Sequence, residues 1–405
     1  MNVTPSTRLA VVSSHPIQYQ APWFVSLARH LDLHVFYCHR QDPAAQAAAG
    51  FAAPFEWDVP LLDGYAYSWL ENVARRPSVD TFTGCDTPEL ADLLRTGGFA
   101  GCLLNGWYLK SYVQALRACR RFGLTVLMRG DSQLATPRGA IWSLAKYWPY
   151  RWLLAQVDAH LYVGRANREY LAHYAVPPER LYPALHFVDN ERFHGQARAA
   201  REAGIVERLR SEWGAASGAT VCLFAGKLVE RKRPADFIDA IGDAAGRGTN
   251  VLGVVVGSGP LEEALRERAR VNRAPVRFCG FMNQTEIPQY YAAADCLVLP
   301  SDGRETWGLV VNEAMACGLP ALVSDAVGCH ADLIERGLTG MTYPVGDVRA
   351  LSAAITWIAS RSAADAGKMR EAVLRKVSEH TCDRAVRGTL AALEAALALR
   401  TRRTE

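Results

Sequence analysis

Short apolar runs recur along this chain, each followed by a longer segment of helical texture. No other feature limits the possible folds as strongly. Residues 9–13, 33–37, 102–105, 125–128 and 159–163 read as strands, with helical patterns at 23–30, 112–122 and 140–154 between them. Strands that are continuously apolar are buried on both faces, and strands separated by helices pair in parallel. After Phe193 the texture changes: residues 195–217 are rich in Ala, Gly, Arg and Glu and contain one charged amphipathic helix. A second series then begins, with strands at 221–225, 251–256, 276–279, 296–300 and 321–324 and helices at 236–245, 261–271, 287–293 and 310–317. The expectation is an α/β protein with two Rossmann-like, doubly wound domains facing each other across a cleft. Residues 1–194 form the first, 195–217 the connection and 218–382 the second. Residues 383–405 form an Ala/Leu-rich helix, packed back on the first domain, and a frayed basic tail.

Size and charge agree with this. A chain of 405 residues, half of them hydrophobic, exceeds one ordinary core, since single domains run to roughly 100–200 residues. With 21% charged residues and a net charge of +4, it is globular. The mild basic excess implies no nucleic-acid partner and suits a phosphorylated ligand or an anionic membrane surface. The ten cysteines include no Cys-x-x-Cys pair, and Cys102, Cys222, Cys279 and Cys296 sit inside apolar runs. Buried reduced thiols are expected, and Cys317 with Cys329-His330 fits no standard zinc spacing. The apolar run after Arg8 reads as a strand rather than a leader, and no stretch approaches the roughly 20 apolar residues that span a bilayer. A cytoplasmic protein follows, free or held peripherally at the inner face of the cytoplasmic membrane.

The most informative segment is residues 299–325, LPSDGRETWGLVVNEAMACGLPALVSD. A strand ends at Pro300, and a polar loop leads into a helix that Gly318 stops. Ligands of open α/β sheets bind where strands end and helices begin. The backbone N–H groups of Trp307, Gly308 and Leu309, after Thr306, suit a phosphate at the helix N-terminus. Glu305 and Glu313 bracket this turn. Carboxylates only accept hydrogen bonds, so they suit sugar and ribose hydroxyls; the plainer alternative is two solvated glutamates beside a helix.

With its flanking Ala-Met-Ala-Cys-Gly-Leu-Pro run, the segment resembles the donor signature of retaining glycosyltransferases of family four, the "glycosyl transferases group 1" type with the GT-B fold. Two glutamates flank seven residues there, as Glu305 and Glu313 do here. The resemblance implies that Glu305 contacts the donor sugar and Glu313 the ribose. A second match follows the first strand of the second half, at residues 224–234, where the family has Gly-Arg and then Lys. Here Gly226 precedes Lys227, and Lys232 lies five positions on. Both cations would neutralise a diphosphate leaving group; Lys227 replaces a bidentate fork by a point charge, and Arg231 and Arg233 compete with Lys232 for the role. Gly257-Ser-Gly-Pro260, the segment around Phe281 that faces the nucleobase, and Val188-Asp189-Asn-Glu-Arg-Phe193 resemble further family elements. Glu262, where a dinucleotide fold needs a third glycine, argues against NAD.

The first half resembles the family less. The loop at residues 14–20 replaces the usual Gly-Gly turn and offers His15 as a catalytic candidate, with Gln18 and Tyr19 on the acceptor side. Asp131 is a further catalytic candidate, and Asn105 and Trp107 join the same rim. No Asp-x-Asp motif occurs, so no metal or other cofactor is expected: the helix N-terminus and lysines would replace a cation that needs clustered oxygen ligands. The reading is a metal-independent, retaining hexosyltransferase-type enzyme that uses a UDP-, GDP- or other nucleotide sugar. Its acceptor would be a lipid-linked or surface-polysaccharide glycan. The alternatives are a nucleotide-sugar 2-epimerase of the same fold and a non-catalytic sugar-nucleotide-binding protein. In residues 138–154, Trp142, Tyr147, Trp148, Tyr150 and Trp152 crowd with Arg138, Lys146 and Arg151. That composition suits either a membrane surface or a core helix broken at Pro149.

Overall fold

The structure is a computed structural model that describes residues 3–41, 55–137 and 139–404. The first domain runs β1 (Arg8–Ser13), α1 (Ala21–Ala28), β2 (Asp32–Tyr37), β3 (Ala66–Trp69), α2 (Leu90–Thr96), β4 (Gly101–Asn105), α3 (Lys110–Phe122), β5 (Thr125–Gly130), α4 (Ala140–Ala155), β6 (Ala159–Tyr162), α5 (Arg165–His173) and β7 (Leu181–Pro183). Helices α6 (Asn190–Glu202) and α7 (Ile205–Glu212) follow. The second domain contains β8 (Thr220–Ala225), α8 (Pro234–Gly246), β9 (Val251–Val256), α9 (Glu262–Val271), β10 (Val276–Gly280), α10 (Ile287–Ala293), β11 (Cys296–Leu299), α11 (Leu309–Ala316), β12 (Ala321–Ser324), α12 (His330–Leu333), β13 (Gly340–Tyr343), α13 (Val348–Ala359) and α14 (Ala363–Val377). Helix α15 (Cys382–Thr404) ends the described chain.

The strands form two sheets, ordered β3-β2-β1-β4-β5-β6-β7 and β10-β9-β8-β11-β12-β13, and every strand pair is parallel. Each order reverses between its first and fourth strands, where open sheets hold ligands. The period of two along β1 separates the cores: Ala10 and Val12 face one cluster, Leu9 and Val11 the other. Helix α15 fills the second cluster with Ala385, Val386, Ala392, Leu393 and Ala396. It continues through residues 400–403, which the sequence reading treated as a frayed tail.

The connection holds two helices where the sequence suggested one. The Asp189 carboxylate caps α6 by accepting the Arg192 N–H at 3.0 Å, and Gly204, at φ +68°, separates α6 from α7. Phe193, on the first turn of α6, is fully buried in the second domain's core. The two chain crossings between the domains lie side by side. The Asn190 amide donates to the carbonyls of Val377 (3.2 Å) and His380 (3.0 Å), and the His380 ring pairs with the His186 carbonyl at 3.0 Å. All ten cysteines are free, eight of them buried. Among the described residues, no helix is long and apolar enough to cross a membrane.

Candidate functional site

The candidate donor site lies at the carboxyl ends of β8, β9 and β11. Gly226 (φ +151°) follows β8 and Gly257 (φ +132°) follows β9. A Cβ at Gly257 would lie 2.0 Å from the Gly226 carbonyl oxygen, so the two loops pack backbone on backbone and leave room for a ligand above them. Beyond Gly226 the chain carries Lys227 and then a 3-10 turn over Glu230–Lys232. Lys232 is buried, and its Nζ sits 2.5 Å from Oε2 of Glu305. The Arg231 guanidinium reaches the same oxygen at 3.2 Å. Burial, together with repulsion from Arg231 and Lys232, lowers the Lys227 ammonium to about 8. Positive charge therefore concentrates around one carboxylate, as an anionic ligand requires.

Glu313 projects from α11 into a cavity of about 190 Å³ that Lys227, Phe281 and Glu313 help to line. Only 2% exposed, its carboxylate accepts hydrogen bonds from Tyr19 Oη (2.8 Å), Tyr291 Oη (2.7 Å) and Gln284 Nε2 (3.1 Å). Arg192 Nη2 donates to the side-chain Oε1 of Gln284 at 3.0 Å and so turns the amide nitrogen toward Glu313. Burial raises the Glu313 pKa despite these donors.

Tyr19 and Gln18, expected on the acceptor side, line the cavity that holds Lys227 and Glu313. The loop after β1 crosses the cleft and places the Tyr19 hydroxyl on α11 of the opposite domain. The three residues at the α11 N-terminus also differ in role. Gly308 takes the left-handed N-cap conformation, φ +96°, and Leu309 begins the helix. The Trp307 ring is buried at the domain junction, 5.3 Å from the His186 ring and 5.8 Å from that of His380, with its indole N–H on Asn312 Oδ1. Its backbone remains at the turn, but its side chain belongs to the hinge.

Sequence reasoning missed a segment of the first domain that covers this cavity. The Phe55 ring packs 4.4 Å from that of Phe281, and Trp57 lines the cavity. The Asp58 carboxylate accepts the N–H groups of Gln284 (3.1 Å) and Thr285 (3.0 Å) and the Thr285 hydroxyl. The Asn283 amide donates to the Glu56 carbonyl at 2.7 Å. A pair of aromatics alternating with acids, Phe-Glu-Trp-Asp, was the available signal.

A second cavity, of about 730 Å³, opens at the carboxyl ends of β1, β4 and β5. His15, Asn105, Trp107 and Asp131 all line it, joined by Asp80 and Tyr108, which the sequence did not single out. Asn105 Nδ2 donates to Ser13 Oγ at 3.2 Å, and the Trp107 indole N–H to Ser132 Oγ at 3.2 Å. Asp131 accepts the Thr306 hydroxyl at 2.7 Å, which ties this cavity's rim to the loop that carries Glu305. Gln133, also missed, is buried and donates to the carbonyls of Gly303 (3.0 Å), Glu305 (3.0 Å) and Ala326 (3.2 Å). The loop carrying Glu305 is thereby fixed from the first domain.

Burial, reinforced by repulsion from His39 and Lys227, lowers the His15 imidazole to about 4, so it is neutral at pH 7. A histidine with a depressed folded-state pKa contributes stability that is present above its unfolded value near 6.5 and lost as pH falls toward 4. Thermal melts between pH 7 and 4 should therefore fall less steeply for His15→Gln than for the wild type. Equal slopes would show that burial does not depress this imidazole.

Residues 206–375 match the family profile "Glycosyl transferases group 1". The chain is 29% identical over 182 residues to an alpha-D-kanosaminyltransferase of Streptomyces kanamyceticus, covering 44% of this chain and 45% of that protein. It is 31% identical over 189 residues to a 2-deoxystreptamine N-acetyl-D-glucosaminyltransferase of Streptomyces fradiae, covering 46% and 43%. The matches thus span less than half the length of these curated relatives. Over whole chains, the fold is shared with a glycosyltransferase from Rickettsia africae ESF-5 (TM-score 0.72, 12% identity, 97% and 99% covered). It is also shared with Anabaena Alr3699/HepE in complex with UDP and glucose (TM-score 0.67, 15% identity, 95% and 99% covered). The second domain is thus similar to the group 1 glycosyltransferases, and the two parallel sheets share the GT-B arrangement.

Proposed function

We propose that this protein transfers a sugar from a nucleotide diphosphate donor to an acceptor held by the first domain, with retention of anomeric configuration and without a divalent metal. The observation that carries the reading is the convergence of Lys227, Arg231 and Lys232 on the Glu305 loop, beside the buried carboxylate of Glu313. In this mechanism the cations stabilise the charge that develops on the departing diphosphate. Glu313 receives ribose hydroxyls, and Glu305, already engaged by two cations, orients sugar hydroxyls. The acceptor attacks from the cavity that contains His15 and Asp131, on the face the leaving group vacates. Closure of the domains limits hydrolysis of the donor.

A thermal-shift screen over UDP-, GDP- and ADP-sugars tests the donor site, since a bound ligand at 100 times its Kd stabilises the native state by about 2.7 kcal/mol. Glu313→Ala should weaken the responding ligand, as charged hydrogen bonds are worth about 1.5–3 kcal/mol each. Transfer should survive EDTA; a strict requirement for magnesium or manganese would refute the metal-free step. Release of an epimerised sugar nucleotide without acceptor would identify a 2-epimerase instead.

A lipid-linked acceptor is supported by α4. Leu144, Trp148 and Trp152, four residues apart, are 76%, 68% and 67% exposed. Tyr147 and Tyr150 pack inward against the first domain's core, and Tyr150 also lines the acceptor cavity. The helix continues through Pro149, so it is not broken there, and Arg151 lies over the Trp148 ring at 5.5 Å. Arg138 and the Trp142 side chain lie outside the described residues. Exposed rings with cations suit a headgroup layer, so α4 would rest on the membrane while its other face meets the acceptor. Flotation with anionic liposomes should capture the wild type and lose Trp148→Ala/Trp152→Ala; equal recovery of both would exclude this contact.

A further inference from the structure

At the opposite end of the second sheet from the donor pocket lies another cavity, of about 620 Å³. It opens at the amino ends of β8, β11 and β12 and is walled by α6, α7, α14 and the end of α13. Arg201, Arg210, Arg361 and Arg370 line it. Only Arg210 is neutralised, by both carboxylate oxygens of Asp295 at 3.1 and 3.3 Å. Arg201, Arg361 and Arg370 make no salt bridge among the described residues.

Arg201 is the most informative of these. Its Nη2 donates to the Cys317 carbonyl at 2.9 Å, at the end of α11, while Nη1 is buried with no hydrogen-bond partner. Burial and the adjacent Arg370 lower its guanidinium to about 10. A desolvated cation beside a second cation is unfavourable unless an anion joins them. Arg361 stands over the Trp357 ring at 4.5 Å, at the rim. Between them the α14 surface is small and open: a Cβ at Gly367 would meet nothing within 4 Å. The volume falls within the roughly 300–1,000 Å³ of small-molecule sites, and guanidinium forks match tetrahedral oxyanions.

We propose that this cavity binds a phosphate-bearing small metabolite, at a site separate from the donor pocket. The phosphate would bridge Arg201 and Arg370, with Arg361 at the entrance and the rest of the ligand lying along α14 at Gly367. Because α6 and α7 form one wall, the ligand would join the interdomain connection to the second domain.

Calorimetric titration of the full chain with inorganic phosphate, glucose 6-phosphate and glucose tests this. It is run in the wild type and in Lys227→Ala/Lys232→Ala, which disables the phosphate-binding cations of the donor pocket. Phosphate or glucose 6-phosphate should bind in both proteins, and glucose in neither. Tighter binding of glucose 6-phosphate than of phosphate would identify a sugar phosphate as the ligand, and equal binding an inorganic anion. In the Lys227→Ala/Lys232→Ala background, Arg361→Gln/Arg370→Gln should weaken binding at least about tenfold, as loss of a charge-assisted hydrogen bond does. Gly367→Glu, which puts a carboxylate on the open helix surface, should abolish it with the melting temperature retained. The proposal is overturned if binding disappears in the Lys227→Ala/Lys232→Ala protein, or if it survives both cavity variants unchanged. Because the donor pocket is disabled in that background, failure of this site leaves the donor reading standing, and the converse.

Discussion

Lys232→Ala is expected to lower turnover about 100-fold or more, the scale of removing one preorganised donor from a developing negative charge. The lysine is 7% exposed, and its ammonium is held 2.5 Å from Glu305. In the proposed mechanism it therefore needs no reorganisation when the diphosphate departs. The effect should fall on kcat, with a smaller change in KM, because the charge it meets grows only in the transition state. Lys232→Arg should restore part of the rate. A variant with near-normal kcat and raised KM would reassign Lys232 to ground-state binding. Arg231→Ala should cost less, since the Arg231 side chain is 38% exposed and solvent screens it.

Leu393→Ala is expected to destabilise the protein by about 2–5 kcal/mol, the range for deleting a buried leucine side chain. Leu393 is fully buried, in one cluster with Leu9, Val11, Leu103 and Leu127 of the first sheet. A Cβ at Gly101 would stand 3.4 Å from its Cδ1, so the helix lies close against β4. Chemical denaturation should show an early transition of the first domain. An unchanged midpoint would mean that α15 adds no stability there.

The parts of this protein legible in the sequence are those whose chemistry is local. The strand–helix alternation, the Gly226 and Gly257 turns and the Glu305–Glu313 spacing each sit within one β-α unit, so short stretches of sequence declare them. What stayed hidden depends on residues far apart in the chain. Tyr19 meets Glu313, Gln133 meets the Glu305 carbonyl, and Asp58 meets Gln284 and Thr285. Nothing near Tyr19 says which domain its hydroxyl will reach. The same holds for α4, whose aromatic crowd resolves into an inward and an outward face only when the sheet beneath it is in place. Proline was a misleading marker there: its missing N–H forgoes one helical bond, and the flanking turns hold the helix together.

The return of α15 to the first sheet also sets an order on synthesis. The second domain's core is drawn from Val188 to Val377, a nearly continuous stretch that can condense once it has left the ribosome. The first sheet emerges earlier, yet the face of Leu9, Val11, Leu103 and Leu127, which Trp23, Phe24 and Leu27 of α1 share, is completed only by Ala385 to Ala396. The half made first is thus the half finished last, and until α15 emerges the part of that face which α1 leaves open meets the surrounding solution.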